Sequence, residues 1–315
     1  MSESSQVLET TKQTTDTDTR QRVWVEASVW NERMLAALEN GVQGSKWYSL
    51  MDKVYRPAVL QAAWQRVRRN KGAAGIDRIS IKRFESQVQR YLDELHTDLK
   101  TGRYQAQPVK RIEIPKGDGR TRPLGIPTVK DRVVQAAVKS VIEPIFEAEF
   151  LSMSYGFRPE RGCKDALREV SQQLKAGYHW VVDADILGYF DSIPHQSLMC
   201  QIEQRISDGR MLALIDHFLK QDIMTEAKKW TPTQGTPQGA VLNPLLANIY
   251  LHPLDHAMQE EDVKMIRYAD DFVILCKTQE QAEHALAQVR QWTQPNGLTL
   301  HTHKTRLGKC MEAGQ

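Results

Sequence analysis

Apolar residues follow a helical period along most of this chain and a strand period in a few short runs. Intervals of three and four residues predict helices over 27–69, 80–100, 130–150, 191–221, 242–254 and 279–292. Short β-rich runs occupy 109–126, 178–186, 265–276 and 298–300. Because helices are mixed with hairpins, the order predicts an α+β fold with an antiparallel sheet packed on helices.

Turn signals mark the boundaries of these runs. Residues 116–120 (KGDGR) predict the turn of a hairpin spanning 109–126. Asp191 and Ser192, followed by Ile193-Pro194, predict a helix start that one of the two side chains caps. We therefore expect a mainly structural role for Asp191. Residues 235–239 (GTPQG) predict a turn that opens the helix at 242.

Two adjacent carboxylates, Asp270 and Asp271, lie between strand-like apolar residues at 265–266 and 272–275. Burying them unpaired is costly, and a divalent cation would neutralise them. Neighbouring side chains on a continuous strand point to opposite faces, so both acids reach one ion only where the chain turns. We predict a hairpin tip with a metal site. An exposed turn, where aspartate is common, is the alternative.

A third carboxylate is available upstream, in the run 181–186. Asp183 and Asp185 share one face by the period of two, so spacing alone allows either to be functional. With Asp270 and Asp271, such an acid could hold two Mg²⁺ ions roughly 4 Å apart, as phosphoryl or nucleotidyl transfer needs. Substrate phosphates usually complete such a site.

Charge and cysteine usage narrow the class of protein. Residues 103–132 hold eight basic and three acidic side chains, in a chain of net charge +3. This basic strip suits a polyanionic partner, although a solvated loop would have the same charges. The four cysteines form no C-x-x-C pair, which disfavours zinc and disulfide frameworks. Without a long apolar run or a secretory signal, we expect a soluble, cytoplasmic protein with no membrane partner.

Over about residues 50–309, ordered motifs resemble those of the reverse transcriptases encoded by bacterial group II introns. They are 70–77 (NKGAAGID), 114–116 with 122–127 (IPK, RPLGIP), 154–159 (SYGFRP), 185–191 (DILGYFD), 236–239 with 243–248 (TPQG, NPLLAN), 268–271 (YADD), and 297–298 with 304–305 (GL, KT). YADD alone is weak, but seven motifs in the correct order are specific. The resemblance implies the fingers and palm of a right-hand polymerase.

The same resemblance implies the metal site. It favours Asp185 over Asp183 and implies that Asp185, Asp270 and Asp271 are the catalytic acids. These three, together with Ile186, would form the site for two Mg²⁺ ions.

It also implies how the substrate is held. Lys116 and Arg122 would hold the incoming triphosphate, and Gln238 would lie along the nascent base pair. Phe190 would be the gate that excludes a ribose 2′-hydroxyl, with ordinary core packing as its alternative. Lys304 would protonate the pyrophosphate leaving group, although such a lysine is more often a plain surface residue.

Three departures from the family pattern are visible. Leu187 replaces a usual lysine and Asn243 a usual serine, from which we expect tuning and not loss of catalysis. The chain also stops at Gln315, soon after the Lys304 motif. The resemblance therefore predicts a protein truncated before the thumb. Its expected parts are a disordered tail (1–20), N-terminal helices and fingers with the palm starting near 130–180 (21–180), the palm (181–309) and a short tail (310–315).

The leading hypothesis is an RNA-directed DNA polymerase that copies RNA into DNA for intron mobility, with weak or no activity as an isolated truncated chain. Its expected partners are an RNA template, a DNA primer, dNTPs and group II intron RNA. One alternative is a polymerase-inactive remnant that binds intron RNA or assists splicing. Another is a related reverse transcriptase recruited to a defence system.

Overall fold

A computed structural model describes residues 24–115, 119, 121–236, 239–259 and 261–310. The predicted tail 1–20, most of the turn at 116–120, Gln238 and the tail beyond 310 lie outside the described residues. The helices are α1 (Glu32–Asn40), α2 (Met51–Val54), α3 (Pro57–Asn70), α4 (Ile81–Glu85), α5 (Val88–Thr101), α6 (Val129–Glu147), α7 (Cys163–Lys175), α8 (Tyr189–Ser192), α9 (His195–Glu203), α10 (Gly209–Leu219), α11 (Asn243–Gln259) and α12 (Gln279–Thr293). The strands are β1 (Val109–Pro115), β2 (Thr121–Ile126), β3 (Trp180–Ala184), β4 (Ile223–Met224), β5 (Lys229–Trp230), β6 (Lys264–Tyr268), β7 (Asp271–Cys276) and β8 (Arg306–Lys309).

The predicted helices near 130–150, 242–254 and 279–292 are confirmed as α6, α11 and α12. The helical spacing over 80–100 is interrupted between α4 and α5, where Gln87 leaves the helical conformation. The break lets Phe84 stack on Trp64 and Tyr91, with ring centroids 4.6 and 4.8 Å apart. A continuous helix would hold Phe84 and Tyr91 about two turns apart. The stretch 27–69 is likewise divided, into α1, α2 and α3.

The predicted cap by Asp191 or Ser192 is wrong. Both residues belong to the short helix α8, where Ser192 Oγ donates a hydrogen bond to the Tyr189 carbonyl (3.1 Å). The longer helix α9 starts at His195, and its N-cap residue Pro194 makes no side-chain cap. The turn before α9 is itself helical, so the side chains that could cap lie one element too early.

The first sheet has the order β2-β1-β4-β5. β1 and β2 form the predicted antiparallel hairpin, with pairs running from Lys110–Ile126 to Pro115–Thr121. The two-residue strands β4 and β5, which no sequence pattern indicated, extend this sheet beside β1.

The second sheet is antiparallel throughout, with the order β6-β7-β3-β8. One of its faces joins the main hydrophobic core, which includes Val182, Ile274 and α12. The other face, with Ile266 and Leu275, is covered by α7. The predicted strand at 298–300 is reduced to one bridge between Leu300 and Ile186, and β8 begins only at Arg306.

Helix α6 lies at the centre of the core, and 15 of its 19 residues are buried. It packs against α3 and α5 on the side of the first sheet and against α11 on the side of the second. The predicted α+β class, with an antiparallel sheet packed on helices, is confirmed. Within the described ranges, we find no helix with the length and apolarity to cross a bilayer.

Candidate active site

Three predicted site residues meet at one end of the second sheet. Beyond the last pairs of the β3–β7 and β3–β8 ladders, Asp185 lies between Asp271 of β7 and Lys304, which precedes β8. Lys304 Nζ is 2.7 Å from Asp185 Oδ2, and the His301 amide donates to the Asp185 carbonyl (2.8 Å). Asp183 lies inside β3 with its side chain exposed.

The predicted hairpin that carries Asp270 and Asp271 is confirmed. Tyr268 pairs with Asp271, so Ala269 and Asp270 form a two-residue loop at its tip. Ala269 has a φ of 61°, a left-handed conformation that residues with a side chain rarely adopt. Such conformations persist only where the surroundings hold them.

The carboxylates carry an excess of negative charge. Burial raises the pKa of Asp270, and the charges of Asp271 and Asp185 raise it further. Burial and Asp185 also raise the pKa of Asp271, against the lowering effect of Lys304. Both acids are thus harder to ionise than free aspartate, because burial and neighbouring negative charges disfavour the charged form.

The chemistry of these donors fits Mg²⁺, which prefers carboxylate oxygens and usually takes only one or two from the protein. In the part of the chain that the structure describes, no group of three or more His, Cys, Asp or Glu side chains is already arranged around a metal position. Lys304 supplies the positive charge at Asp185 instead. The Ile186 side chain is buried and apolar, so only its main chain could contribute.

A buried polar network behind the hairpin was missed by the sequence reasoning. Arg267 Nε and Nη2 donate to the two carboxylate oxygens of Asp255 (2.7 and 2.5 Å), and both side chains are fully buried. Arg267 Nη1 donates to Asn248 Oδ1 and to the Ala269 carbonyl (2.8 Å each). The available signal was an arginine directly before an apolar-flanked hairpin tip, since a buried arginine needs a buried acid.

The SYGFRP motif meets the same hairpin. Asn248 Nδ2 donates to the Gly156 carbonyl (2.8 Å), and Arg267 exchanges main-chain hydrogen bonds with Met153 and Tyr155. A Cβ atom on Gly156 would lie 2.1 Å from the Ala269 nitrogen. Only glycine therefore allows this approach.

Phe190 lies in α8, half-buried, five residues after Asp185. Its ring meets the exposed ring of Phe157 edge-on, with centroids 6.4 Å apart. The Thr236 amide donates to the Phe190 carbonyl (2.6 Å), which ties the TPQG motif to this helix. The ring is thus half-buried, and Phe157 and Tyr189 pack against it.

The basic hairpin β1–β2 approaches the region around Phe190 through the TPQG motif. A Cβ on Gly239 would lie 2.3 Å from the Gly125 carbonyl oxygen of β2. Arg122 of β2 is exposed. Lys116 and Gln238, predicted to contact the nucleotide, lie outside the described residues, so their placement stays a prediction.

A basic cleft of about 450 Å³ adjoins the first motif. Arg132 donates to the Lys71 and Ala73 carbonyls (3.2 and 2.6 Å), which fixes the 70–77 loop against α6. The lining includes Arg66, Lys71, Arg132, Lys139 and Gly239. Glu143 also lines the cleft and pairs with Lys139 (3.3 Å). The positive charge that remains in excess suits a phosphate backbone.

Comparison with known proteins decides the family. Residues 114–312 match the family described as "Reverse transcriptase (RNA-dependent DNA polymerase)". The chain belongs to the reverse transcriptase family. The fold contains the fingers and palm of this family, and the antiparallel second sheet is its palm sheet.

Curated relatives agree. Protein YkfC of Escherichia coli K12 is 32% identical over 299 residues, covering 82% of this chain and 78% of YkfC. The group II intron-encoded protein LtrA of Lactococcus lactis subsp. cremoris is 39% identical over 215 residues, covering 67% of this chain. The matched part is 35% of LtrA, so the activity of whole LtrA is not carried over directly. The resemblance to group II intron-encoded reverse transcriptases is confirmed.

Among solved structures, a chain titled "Partial Cas6-RT-Cas1--Cas2 complex" matches with a TM-score of 0.48 and 28% identity, covering 78% of this chain and 41% of that chain. A score of this size does not support a detailed superposition. The family assignment rests on the motifs and the curated relatives.

Proposed function

We propose that this chain is an RNA-directed DNA polymerase of group II intron type, which adds dNTPs to a DNA primer paired with an RNA template. The observation that supports the proposal is that Asp185 and Asp271 both lie just beyond the last β3–β7 pair, Ala184–Phe272, at one end of the palm sheet, with Asp270 at the adjoining hairpin tip. Asp270 and Asp271 have raised pKa values that Asp185 helps to raise. Asp270 is half-buried at the tip, whereas an ordinary surface turn would leave it solvated.

Two Mg²⁺ ions held by these carboxylates and the Ile186 main chain would supply charge stabilisation for nucleotidyl transfer. The residues themselves have distinct tasks in the proposal. Asp185, Asp270 and Asp271 would hold the ions, because carboxylates repel the like-charged phosphates and cannot bind them directly. A Lys304 ammonium released from Asp185 donates a proton to the pyrophosphate oxygens as they leave.

The remaining predicted contacts follow from charge and shape. Arg122 and Lys116 on the fingers hairpin would neutralise the triphosphate, and Gln238 would lie along the new base pair. Phe190, five residues after Asp185, would overlap a ribose 2′-hydroxyl and so select deoxyribonucleotides. The basic cleft beside the 70–77 loop would follow the template backbone.

The finer assignments belong to the same proposal. They are binding of group II intron RNA for mobility, a cytoplasmic location, and the division into fingers and palm near residue 180. Each of them stays a prediction.

Single-nucleotide addition to a primer on an RNA template tests the proposal, because it reads the chemistry without requiring processive copying. Asp270→Ala should lower the rate by about 10³-fold, as expected for the loss of several kcal/mol of transition-state stabilisation. Asp183→Ala is the matched control, a carboxylate on the neighbouring strand, and should stay within about threefold of wild type. Undiminished addition by Asp270→Ala would contradict the proposal. Salt-sensitive RNA binding without any addition would favour the polymerase-inactive alternative.

A further inference from the structure

The palm hairpin carries strain at its tip, in the residue next to the proposed metal-binding carboxylates. Ala269 keeps a φ of 61° although it has a side chain and is buried. A conformation of this kind is strained and survives where neighbouring groups hold it in place. The Ala269 carbonyl has such a neighbour, because Arg267 Nη1 donates to it at 2.8 Å.

The guanidinium of Arg267 cannot relax away from that carbonyl. Two of its nitrogens hold Asp255 on α11. The third reaches Ala269 and also Asn248, which lies about two turns before Asp255 on the same face of α11. Arg267 and Asp255 are fully buried, and Asn248 is 1% exposed. A guanidinium is a planar fork with fixed donor directions. Fixing it on α11 therefore fixes where the Ala269 carbonyl lies.

Asn248 extends the same support to the other side of the tip. Its Oδ1 accepts from Arg267 and its Nδ2 donates to the Gly156 carbonyl (2.8 Å). Gly156 in turn touches the Ala269 backbone, as the 2.1 Å approach of its absent Cβ shows. The hairpin tip is thus confined between α11 and residues 153–158.

We infer that Arg267, Asp255 and Asn248 form a positioning network that sets the Asp270 and Asp271 carboxylates for the metal site. Arg267 is a positioning residue and touches neither substrate nor cation. The inference rests on the proposed function for the metal-binding role of the carboxylates. The effect of the network on the order of the hairpin can be measured independently of that role. Groups behind metal ligands commonly change metal affinity by about 10–100-fold when they are altered.

Arg267→Lys is the first variant to test. It keeps the charge opposite Asp255 but loses the fork, so it cannot hold Asp255, Asn248 and Ala269 together. Arg132→Lys is the matched control, since Arg132 is also a buried arginine (8% exposed) and donates to the carbonyls of Lys71 and Ala73, which are outside the hairpin. Asn248→Ala is the second variant and leaves the Arg267–Asp255 pair intact. If Arg267→Lys does not fold, Asn248→Ala alone tests the positioning network.

Two readouts do not depend on polymerase activity. Amide hydrogen exchange over residues 265–276 should be about tenfold faster in Arg267→Lys and Asn248→Ala than in wild type. Electron paramagnetic resonance of free Mn²⁺ should show affinity about tenfold weaker in both variants. Arg132→Lys should change neither quantity, even where it lowers the melting temperature.

A hairpin that exchanges at the wild-type rate and binds Mn²⁺ with wild-type affinity in a folded Arg267→Lys or Asn248→Ala variant would overturn the inference. Nucleotide addition separates this failure from that of the proposed function. If the wild-type protein adds no nucleotide but the variants loosen the hairpin, the proposed polymerase function is contradicted and the positioning network is supported. If the wild-type protein and Arg267→Lys add nucleotides at the same rate, only the positioning network is contradicted.

Discussion

The palm hairpin β6–β7 and the fingers hairpin β1–β2 carry opposite charges and are supported differently. The palm hairpin presents Asp270 and Asp271, and a buried network centred on Arg267 holds it from behind. The fingers hairpin presents exposed Arg122, and the Gly125–Gly239 approach is its contact with the TPQG motif. Carboxylates that share a cation need fixed positions, whereas cations that screen a triphosphate act over a longer range. We therefore expect the two hairpins to respond differently to mutation.

Among substitutions outside the three carboxylates, the largest effect should come from Gly156→Ala. The added Cβ would lie 2.1 Å from the Ala269 nitrogen, a backbone atom that can move only with the hairpin tip. A displacement of about 1 Å can cost about 100-fold in rate, so we expect kcat for nucleotide addition to fall by about that factor. The control is Gly308→Ala in β8, where a Cβ would meet open space. Equal rates for the two variants would show that the tip needs no fixed position.

On the fingers side, Arg122→Ala should act mainly on nucleotide affinity. It removes one exposed charge without disturbing a buried neighbour. We expect KM for dNTP to rise about tenfold, with kcat changed less. Arg122→Lys, which keeps the charge, should recover most of the loss. A pure kcat defect would mean that both hairpins position reacting groups, and the contrast between them would fail.

The palm carboxylates should also cost stability in the absence of metal. Because the pKa of Asp270 is raised in the folded protein, its protonated form is favoured there, and its contribution to stability is lost as pH rises through that pKa. Asp270→Asn should therefore raise the melting temperature by a few degrees at pH 7 without divalent ions. The gain should shrink toward pH 4. A lower melting temperature at pH 7 would show that the carboxylate is already compensated.

The smallest effect concerns His252, on the helix that also carries Asn248 and Asp255. Burial, together with the neighbouring His256, lowers the pKa of His252 to about 4. Because His252 is harder to protonate in the folded state than in the unfolded state, the free energy of unfolding decreases as the pH falls below the ordinary histidine range. His252→Gln should remove on the order of 1 kcal/mol of this acid sensitivity near pH 5. Identical melting curves against pH for both proteins would contradict the assignment.

The elements at the site were predictable where local pattern alone decides them. Asp270 and Asp271 lie between two apolar runs, so the sequence pattern alone predicts the hairpin and its tip. The choice between Asp183 and Asp185 needed a family resemblance, because both occupy the same face of one run. It is the end of β3 at Ala184 that places Asp185 beyond the ladder, and strand ends depend on neighbouring strands.

The network behind the tip could not be predicted in the same way. Arg267 meets Asp255 and Asn248 across 12 and 19 residues of sequence, and Asn248 meets Gly156 across 92. No periodicity connects such positions, since the packing of α11 against β6 brings them together. The break between α4 and α5 has the same origin, because Phe84 stacks on a ring from another helix.

Manganese located in a ternary complex would test the carboxylate site most directly. Crystals of the protein with a primer on an RNA template and a non-hydrolysable dNTP could be measured at the manganese absorption edge. We expect anomalous peaks for manganese within coordinating distance of the carboxylate oxygens of Asp185, Asp270 and Asp271. We also expect the Lys304 side chain to have moved away from Asp185. Bound nucleotide with no manganese at these carboxylates, or with manganese only elsewhere, would contradict the site.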